Sequence, residues 1–257
     1  MKKTAMITGS TSGIGLAIAK SFADRGYNLI FHGLEEEGAT IAKEVATAAQ
    51  VDYLHFTTDL RNADEVKAMA ESCLGAFENI DVLVNNAGIQ FVRPVEDMPL
   101  EKWNELFAVH VNAAFVLVKA LLPAMKKKQM GRIVNMASAH GLIASPYKSA
   151  YIAAKHALIG LTKAVATEGA PYRITSNAVC PGYVLTPLVE AQIPAQMQVH
   201  QLSKKEVIEQ VFLKDHLIKD FVTPQAVAAA VLFLADSEAA PFITGTTLSI
   251  DAGWTAH

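Results

Sequence analysis

The stretch Thr4–Gly15, TAMITGSTSGIG, joins a short apolar run to a loop with three glycines. The apolar run predicts a buried strand, and helical periodicity after the loop predicts a first helix that extends to about Arg25. Glycines at 9, 13 and 15 let the backbone approach a phosphate where a Cβ would intrude, and a helix N-terminus offers unpaired N–H groups to a pyrophosphate. The stretch therefore predicts a dinucleotide-binding turn, although a tight packing turn explains the glycines equally well when they are taken alone.

Short apolar runs alternate with helical periodicity along the rest of the chain, without an internal repeat or a linker-like break. Alternating strands and helices favour a parallel sheet covered on both faces, and right-handed crossovers make such a sheet doubly wound. We therefore predict one α/β domain over residues 1–257, with a Rossmann-type doubly wound parallel sheet of about seven strands. The predicted strands cover 4–8, 28–32, 51–57, 81–85, 132–138, 174–180 and 247–250, and the longest predicted helix covers about 100–127.

Composition narrows the class of protein. Hydrophobic residues make up 51% and charged residues 18% of the chain, so a buried core is expected. A formal net charge of -3 argues against a nucleic-acid partner that needs a basic surface. Cys73 and Cys180 match no metal motif and no disulfide framework, and no apolar run has the length of a signal peptide or a membrane span. These features predict a soluble cytoplasmic protein without a metal, a membrane or a nucleic acid as partner.

Tyr151 and Lys155 lie four residues apart in a predicted helix, thirteen residues after Ser138. One helical turn places the phenol and the ammonium on the same face. A fixed cation favours the phenolate and lowers the pKa of a neighbouring tyrosine, which would let Tyr151 exchange a proton with an alcohol or a carbonyl. A Tyr-x-x-x-Lys spacing is common in helices, so this interpretation depends on the other motifs.

Two predicted strands end on polar residues that a nucleotide could contact. Asp59 follows the third strand, where its carboxylate could accept a hydrogen bond from an adenine amino group; an acid at a helix start explains it equally well. The run Asn85–Gly88 ends the fourth strand, where amides and small side chains would let a cofactor lie across the sheet edge or would simply form a turn. Ligands of open parallel sheets bind at these carboxyl ends, which favours the nucleotide interpretation.

Several spaced motifs follow one another in a characteristic order over nearly the whole chain. They are Thr8-Gly-x-x-x-Gly-x-Gly15, Asn85-Asn-Ala-Gly88, Asn112, Ser138, Tyr151-x-x-x-Lys155, Pro181-Gly182 and Thr186. Together they closely resemble the short-chain dehydrogenase/reductase family. This resemblance implies a nicotinamide cofactor, hydride transfer and a homo-oligomer, here a homotetramer.

The resemblance also implies roles for individual residues. Tyr151 would be the general acid/base, Lys155 would bind the nicotinamide ribose and lower the Tyr151 pKa, and Ser138 would hydrogen-bond the reacting oxygen. Asn112 would hold a water molecule in the proton relay, and Thr186 would contact the carboxamide. The full set of implied cofactor-binding residues is Gly9, Thr11, Gly13, Ile14, Gly15, Asp59, Asn86, Gly88, Tyr151, Lys155, Pro181, Gly182 and Thr186.

The choice between NAD and NADP depends on the end of the second predicted strand. NADP sites place Arg or Lys near the extra phosphate, and no such cation stands in Phe31-His32-Gly33-Leu34. The acid that usually marks NAD is also missing, with His32 at about its position. The absence of a cation favours NAD as the cofactor.

Several segments resemble the bacterial D-3-hydroxybutyrate dehydrogenase branch of this family. They are Asn86–Gln90, Ser138–Gly141, Lys148–Tyr151, Thr186–Gln192 and Gly253–Ala256. In that branch the residues matching Gln90, His140, Lys148 and Gln192 bind the substrate carboxylate, so a small hydroxy acid or keto acid is the implied substrate. Taken singly, each of these four is equally explained as a surface or loop residue.

Two aromatic residues complete the implied substrate site. Tyr183 stands where this branch often has Trp, and its polar ring would contact the small alkyl end and alter chain-length preference. Trp254 lies in the last matching segment, and Ala252, just before that segment, replaces a frequent glycine. The stretch 187–221 is predicted to form a lid that carries Gln192, and slower hydrogen exchange with NAD and a substrate analogue bound would test this; a plain helical cover is the alternative.

The leading hypothesis is NAD-dependent, reversible oxidation of (R)-3-hydroxybutyrate to acetoacetate. A reductase of 3-oxoacyl thioesters or another 3-oxo compound is the alternative within the family. Lys148 and His140 speak against it, because a thioester has no free carboxylate to capture. A non-catalytic dinucleotide-binding regulator is the alternative from another class, and the intact Ser138, Tyr151 and Lys155 speak against it.

Overall fold

The computed structural model describes residues 2–190 and 193–256. Seven parallel strands form one sheet in the order β3-β2-β1-β4-β5-β6-β7. This confirms the predicted doubly wound sheet, and each strand differs from its predicted bounds by at most two residues. The strands are β1 Thr4–Ile7, β2 Asn28–His32, β3 Tyr53–Phe56, β4 Val82–Asn85, β5 Gly131–Met136, β6 Ile174–Pro181 and β7 Thr247–Ile250.

Helices connect the strands and cover both faces of the sheet. They are α1 Gly13–Asp24, α2 Gly38–Ala49, α3 Ala63–Ala76, α4 Leu100–Phe107, α5 Ala113–Lys128, α6 Ser149–Gly169, α7 Pro187–Glu190, α8 Ile193–His200, α9 Lys204–Val207 and α10 Pro224–Asp236. The predicted long helix over about 100–127 is interrupted by one π-helical turn, Ala108–Asn112, between α4 and α5. Such turns inside helices frequently mark functional sites.

The core consists of two apolar layers separated by the sheet. Side chains of a strand alternate between its faces, so Ala5 and Ile7 of β1 pack with α1, α2 and α10, whereas Met6 packs with α3, α5 and α6. Both faces of the sheet are covered by mostly apolar side chains, which explains why several strands read as continuous hydrophobic runs rather than alternating ones.

The course of the chain reverses between β1 and β4, which are neighbours in the sheet. β2 and β3 lie on one side of β1 in the sheet, and β4 lies on the other side. This change of direction leaves a crevice at the carboxyl ends of β1 and β4. Asn86 spans this crevice, because its Nδ2 donates hydrogen bonds to the carbonyl oxygens of Thr8 (2.9 Å) and Gly9 (3.0 Å). The topology therefore brings the glycine turn and the Asn85–Gly88 segment together.

The stretch Leu100–Lys128 is long and apolar enough to cross a membrane by length and composition, with a mean hydropathy of 1.8 over its most apolar window. One such helix is weak support for a membrane span, because the core helix of a soluble protein passes the same test. Here Leu117 and Leu121 of α5 are fully buried against α3 and the sheet. Burial in the core thus accounts for the apolar side chains on this face of α5.

The predicted lid region is largely helical where the structure describes it. After α7, α8 and α9 a second π-helical turn covers Ile208–Phe212. Ile193, Val207 and Phe212 form a small apolar cluster that packs against Tyr183. Gln192, which the sequence assigned to the substrate, lies outside the described residues.

Candidate active site

The turn after β1 has the geometry of a phosphate cradle. Gly9 and Gly13 have φ values of +61° and +50°, a region that favours glycine, and a Cβ on Gly15 would lie only 1.8 Å from the Gly9 carbonyl oxygen. Ser12 caps α1 with its backbone but makes no side-chain cap hydrogen bond, so the first N–H groups of α1 remain available. These residues fit a dinucleotide pyrophosphate.

A long cavity runs along the carboxyl ends of the strands. Its two parts meet at Ile14, Asn86, Gly88, Ile89 and Thr186. One part contains the predicted proton-transfer residues and the other the loop after β2. This shape suits an extended ligand with its two ends in different chemical environments.

Ser138, Tyr151 and Lys155 line the same part of the cavity. Ser138 follows β5, whereas Tyr151 and Lys155 lie one turn apart on α6. The Lys155 ammonium donates a 2.6 Å hydrogen bond to the Met136 carbonyl oxygen and lies 5.4 Å from the centroid of the Tyr151 ring. The spatial grouping of these residues is as predicted.

The expected pKa shift of Tyr151 is wrong for the free protein. Burial raises the pKa of Tyr151 to about 12, although the Ser138 hydroxyl lowers it in part. Burial also lowers the pKa of Lys155 to about 7, so its ammonium loses much of its positive charge near neutral pH. Desolvation disfavours both charged forms, and the sequence could not show how deeply the pair is buried. In the free protein Tyr151 is therefore a neutral phenol at neutral pH, the form that can donate a proton.

Asn112 does not lie in the cavity. Its side chain is exposed, whereas His110, two residues earlier in the π-helical turn, is buried and lines the cavity. Residues two apart on a helix point about 200° apart, so only one of them can face the site. The predicted position of Asn112 in the proton relay is thus wrong, and His110 is a residue that the sequence reasoning missed.

Lys148 and Tyr183 meet at one wall of the same cavity. The Lys148 ammonium donates a 3.1 Å hydrogen bond to the Tyr183 hydroxyl and lies 5.2 Å from the centroid of its ring. Tyr147, with a φ of +67°, turns the chain just before α6, and its carbonyl oxygen accepts from the Arg93 N–H at 2.9 Å. A residue other than glycine in this conformation is strained, which is typical of functional sites.

His140 lies beside this pair in neutral form. Burial, and then the charge of Lys148, lower the pKa of His140 to about 3, and its Nε2 lies 3.0 Å from the Ser145 hydroxyl. The Gln90 side chain also lines the cavity, and its Oε1 accepts from the Phe91 N–H at 3.1 Å. A cation and neutral polar groups therefore surround one end of the cavity.

Two stacked rings close this end. Tyr183 and Trp254 lie 5.3 Å apart with an interplanar angle of 11°, and Trp254 meets the edge of His140 at 4.9 Å. Tyr183 was expected to contact the alkyl end of the substrate, and this expectation needs correction. Its hydroxyl accepts a hydrogen bond from Lys148, so it also contributes to the polar end of the cavity. An indole N–H at this position could not accept a hydrogen bond from an ammonium.

Glu35 stands in the other part of the cavity and was also missed. Its carboxylate accepts hydrogen bonds from the Thr11 hydroxyl and, at 2.7 Å, from the Ser12 hydroxyl. Burial alone would raise the pKa of Glu35, but these two hydroxyls outweigh it and lower the pKa. The acid that the sequence reasoning found missing after β2 is supplied three residues beyond His32, at the start of the acidic run 35–37.

His32 is a structural residue. Its Nε2 lies 2.8 Å from the Thr58 carbonyl oxygen and its Nδ1 accepts from the Gly9 N–H at 3.1 Å, so the ring is held neutral between the turn and β3. Burial lowers the pKa of His32, which removes it as a cation for a phosphate.

Asp59 lines this part of the cavity as predicted, but its carboxylate is held by Arg61 at 2.7 Å. Arg61 also pairs with Glu105 at 3.2 Å, so its positive charge is compensated twice. Thr11 is buried and its hydroxyl bonds Glu35. The remaining predicted cofactor residues that line the cavity are Gly9, Gly13, Ile14, Gly15, Asn86, Gly88, Pro181, Gly182 and Thr186.

The chain resembles known oxidoreductases over its full length. Residues 9–255 match a family model described as enoyl-(acyl carrier protein) reductase. The chain is 49% identical to a D-beta-hydroxybutyrate dehydrogenase of Rhizobium meliloti over 100% of both chains. It is 44% identical to one of Cupriavidus necator over 99% of this chain and 98% of that one. The solved structure described as "ElxO with NADP Bound" superposes with a TM-score of 0.89, covers 100% of both chains and is 30% identical.

Proposed function

Because the chain belongs to the short-chain dehydrogenase/reductase family, we propose that it oxidises (R)-3-hydroxybutyrate reversibly to acetoacetate with NAD. It is an oxidoreductase, and two relatives that match it over at least 98% of both chains are D-beta-hydroxybutyrate dehydrogenases. The observation that carries the substrate assignment is the Lys148 ammonium in the cavity that also holds Tyr151 and Ser138. A small hydroxy acid offers a carboxylate to Lys148 and a hydroxyl to Tyr151 and Ser138.

Proton transfer falls to Tyr151. When acetoacetate is reduced, its carbonyl oxygen receives the Tyr151 proton, and Ser138 donates a hydrogen bond to the same oxygen. When the alcohol is oxidised, the proton returns to the phenolate. A nicotinamide held beside Tyr151 and Lys155 would supply the hydride chemistry, and the positive charge of its oxidised form would lower the pKa of a nearby phenol. The buried Lys155 then holds the ribose and stabilises the phenolate as far as it is protonated.

The carboxylate binds at the wall formed by Lys148, Tyr183 and His140. An ammonium and neutral donors are the partners that a carboxylate prefers, and charge-assisted hydrogen bonds are the stronger kind. Because the Tyr183 oxygen accepts from Lys148, its own O–H proton is free to bond the same carboxylate. The stacked Tyr183 and Trp254 rings limit the length of the acid. Gln90 and Gln192 are the further amide donors of this proposal.

Initial rates with related substrates test the proposed function. We expect activity with (R)-3-hydroxybutyrate and NAD, and a fall of about 100-fold or more in kcat/KM for its methyl ester, because the ester lacks the charge that Lys148 binds. The (S) enantiomer serves as the stereochemical control. Preference for a 3-oxoacyl thioester over the free acid would favour the alternative reductase, and binding of NAD without turnover on any alcohol or ketone would favour the non-catalytic regulator.

Glu35 supports NAD over NADP. NADP differs from NAD by a phosphate on the adenosine ribose, and Glu35 stands in the part of the cavity remote from Tyr151, beside the glycine turn. A carboxylate accepts hydrogen bonds from a ribose diol but repels a phosphate. Arg61, a cation in this part of the described cavity, is paired with Asp59 and Glu105.

Glu35→Ala is therefore expected to raise kcat/KM for NADP about 10-fold and to lower it for NAD, because it removes like-charge repulsion and a ribose acceptor together. Glu35→Gln is the matched variant: it removes the charge while keeping the size of the side chain. The measurement is the ratio of kcat/KM for the two cofactors with saturating substrate. A ratio unchanged in both variants would refute this role of Glu35.

Assembly and location are also proposed from the family. The homotetramer would bury apolar surface on α4, α5 and α6, where Leu100 and Phe115 are exposed large side chains. Light scattering of the purified protein tests this, and a monomer at micromolar concentration would oppose it. A cytoplasmic location is proposed with it, and cell fractionation is the direct check.

A further inference from the structure

His216 is a buried histidine that none of the roles above uses. It is 0% exposed and lies in the loop 213–223, between the second π-helical turn and α10, which we call the anchor loop. Its ring packs beside the two stacked aromatic residues of the substrate end, with its centroid 6.0 Å from that of Tyr183 and 5.7 Å from that of Trp254. An imidazole thus stands directly behind the wall at which the carboxylate binds.

The hydrogen bonds of this ring bridge two segments of the chain. Nε2 accepts a hydrogen bond from the Tyr183 N–H at 3.3 Å, and Nδ1 lies 3.0 Å from the Asp220 carbonyl oxygen. A backbone N–H can only donate and a carbonyl oxygen can only accept, so the ring carries its proton on Nδ1. This tautomer gives both nitrogens a partner, whereas a proton on Nε2 would face the Tyr183 N–H.

Gly182 lets the ring approach the backbone so closely. A Cβ at this position would lie 2.9 Å from His216 Nε2 and 3.0 Å from Asp251 Cα. Any larger residue would therefore have to push the imidazole or the backbone away. The glycine that the sequence assigned to the cofactor thus also has a packing role, which is to admit the bridge from His216 to Tyr183.

The anchor loop holds both stacked rings. The Tyr183 carbonyl oxygen accepts from the Val222 N–H at 3.0 Å, so both backbone groups of Tyr183 bond this loop. The Leu217 N–H donates to the Ala252 carbonyl oxygen at 2.9 Å, two residues before Trp254. One loop therefore ties the strand end that carries Tyr183 to the segment that carries Trp254.

The backbone of Tyr183 decides where its side chain meets Lys148. The Tyr183 hydroxyl, which accepts the 3.1 Å hydrogen bond from the Lys148 ammonium, lies at the far end of a rigid ring with only two side-chain torsions. A displacement of the backbone is therefore carried to the hydroxyl and to the ammonium that it holds. His216 does not line the cavity itself, so it can act on the substrate only through these neighbours.

We propose that His216 is a positioning residue that fixes Tyr183, and through it the Lys148 ammonium, in the geometry that binds the substrate carboxylate. The imidazole serves as a hydrogen-bond bridge and takes no part in proton or hydride transfer. The inference rests on the proposed function for the identity of the anion and deepens it by adding a residue that touches neither substrate nor cofactor.

Substitutions at 216 test this role through KM. His216→Leu keeps a side chain of similar size but offers no acceptor to the Tyr183 N–H. We expect its KM for (R)-3-hydroxybutyrate to rise about 10-fold, with kcat and the Kd for NADH within about threefold of wild type. His216→Gln again offers a donor and an acceptor and should return KM to within about threefold of wild type. Asp215→Asn, at the exposed neighbouring position, is the control and should match wild type.

A neutral substrate and a second substitution separate positioning from general damage. With the methyl ester, which has no carboxylate, His216→Leu should match wild type. In a Tyr183→Phe background, which keeps the ring and lacks the hydroxyl, His216→Leu should add no more than about a twofold loss, because both substitutions break the same chain of contacts. Equal losses on acid and ester, a loss in kcat alone, or additive losses in the double variant would overturn the inference.

The tautomer of His216 can be measured without any substrate. In nitrogen-15 NMR spectra of the free wild-type protein at pH 8, His216 should be the Nδ1–H tautomer, with its signals assigned by their loss in His216→Gln. An Nε2–H tautomer would overturn the inference even if the enzyme oxidises 3-hydroxybutyrate, and so would a folded His216→Leu variant with wild-type KM for the acid. The tautomer does not depend on which acid the enzyme takes, so failure of the bridge and failure of the substrate assignment are distinguishable.

Discussion

Tyr151→Phe is expected to lower kcat by about 1000-fold in both directions, because a positioned acid or base contributes about 100- to 10,000-fold to such reactions. The substitution removes one oxygen from a ring that is otherwise packed between His110 and His140, so the fold should persist. The Kd for NADH, measured by fluorescence, should stay within about threefold of wild type. Tyr147→Phe is the matched control, since Tyr147 is exposed and lies four residues earlier, just before α6.

The pH dependence of the wild-type enzyme follows from the same group. Oxidation needs the phenolate, and because burial raises the pKa of Tyr151 to about 12, the phenolate becomes more abundant as the pH rises. The kcat/KM for (R)-3-hydroxybutyrate should therefore increase through the neutral range. Reduction of acetoacetate uses the phenol and should lack this increase. Full activity of Tyr151→Phe, or an oxidation rate that falls as the pH rises from 6 to 8, would contradict the assigned role.

Lys148→Met is expected to have the second largest effect. Removing one partner of a desolvated charge pair costs about 2 to 4 kcal/mol, which corresponds to a loss of about 30- to 900-fold in kcat/KM for the free acid. Met keeps the length of the side chain, so the stacked Tyr183 and Trp254 rings should stay in place. Because Lys148 touches the carboxylate rather than the reacting carbon, most of the loss should appear in KM.

The methyl ester of the substrate separates the loss of charge from general damage. Activity with the ester should be equal in Lys148→Met and wild type, because no carboxylate is present in either case. Lys67→Met is the matched control and should leave both substrates unaffected, because Lys67 is an exposed lysine on α3 that pairs with Glu71. Equal losses on acid and ester would mean that Lys148 supports the architecture of the site and does not bind the anion.

Some features of the site were predictable because they are local. The four-residue spacing of Tyr151 and Lys155 and the glycines of Thr4–Gly15 act over one turn of chain, so their neighbours in sequence are also their neighbours in space. The position of Ser138 near this pair could also be predicted. β5 and α6 follow each other along the chain, and in a parallel sheet the connection from a strand to its helix lies at the strand's carboxyl end.

Other features depend on where distant segments pack. Asn112 is the amide that the motif pattern selected, but the π-helical turn directs it to solvent and turns His110 inwards. Glu35 belongs to an ordinary-looking acidic run, and only the fold brings its carboxylate to the hydroxyls of Thr11 and Ser12. The polar ring of Tyr183 was expected at the alkyl end of the substrate, but in the fold its hydroxyl accepts a hydrogen bond from Lys148.

The sequence by itself predicted the succession of strands and helices along the chain, the glycine turn after β1 and the placement of Tyr151 and Lys155 on one helical turn, because periodicity and short spacings express local geometry. Tertiary structure alone decided which polar groups face the cavity and what state of protonation they have. Burial raises the pKa of Tyr151, which reverses the effect expected from a neighbouring cation, and burial lowers the pKa values of Lys155, His110 and His140. The physical reason is that the desolvation of a group depends on every segment that packs around it. Spacing in the sequence shows only which groups of the same segment are neighbours.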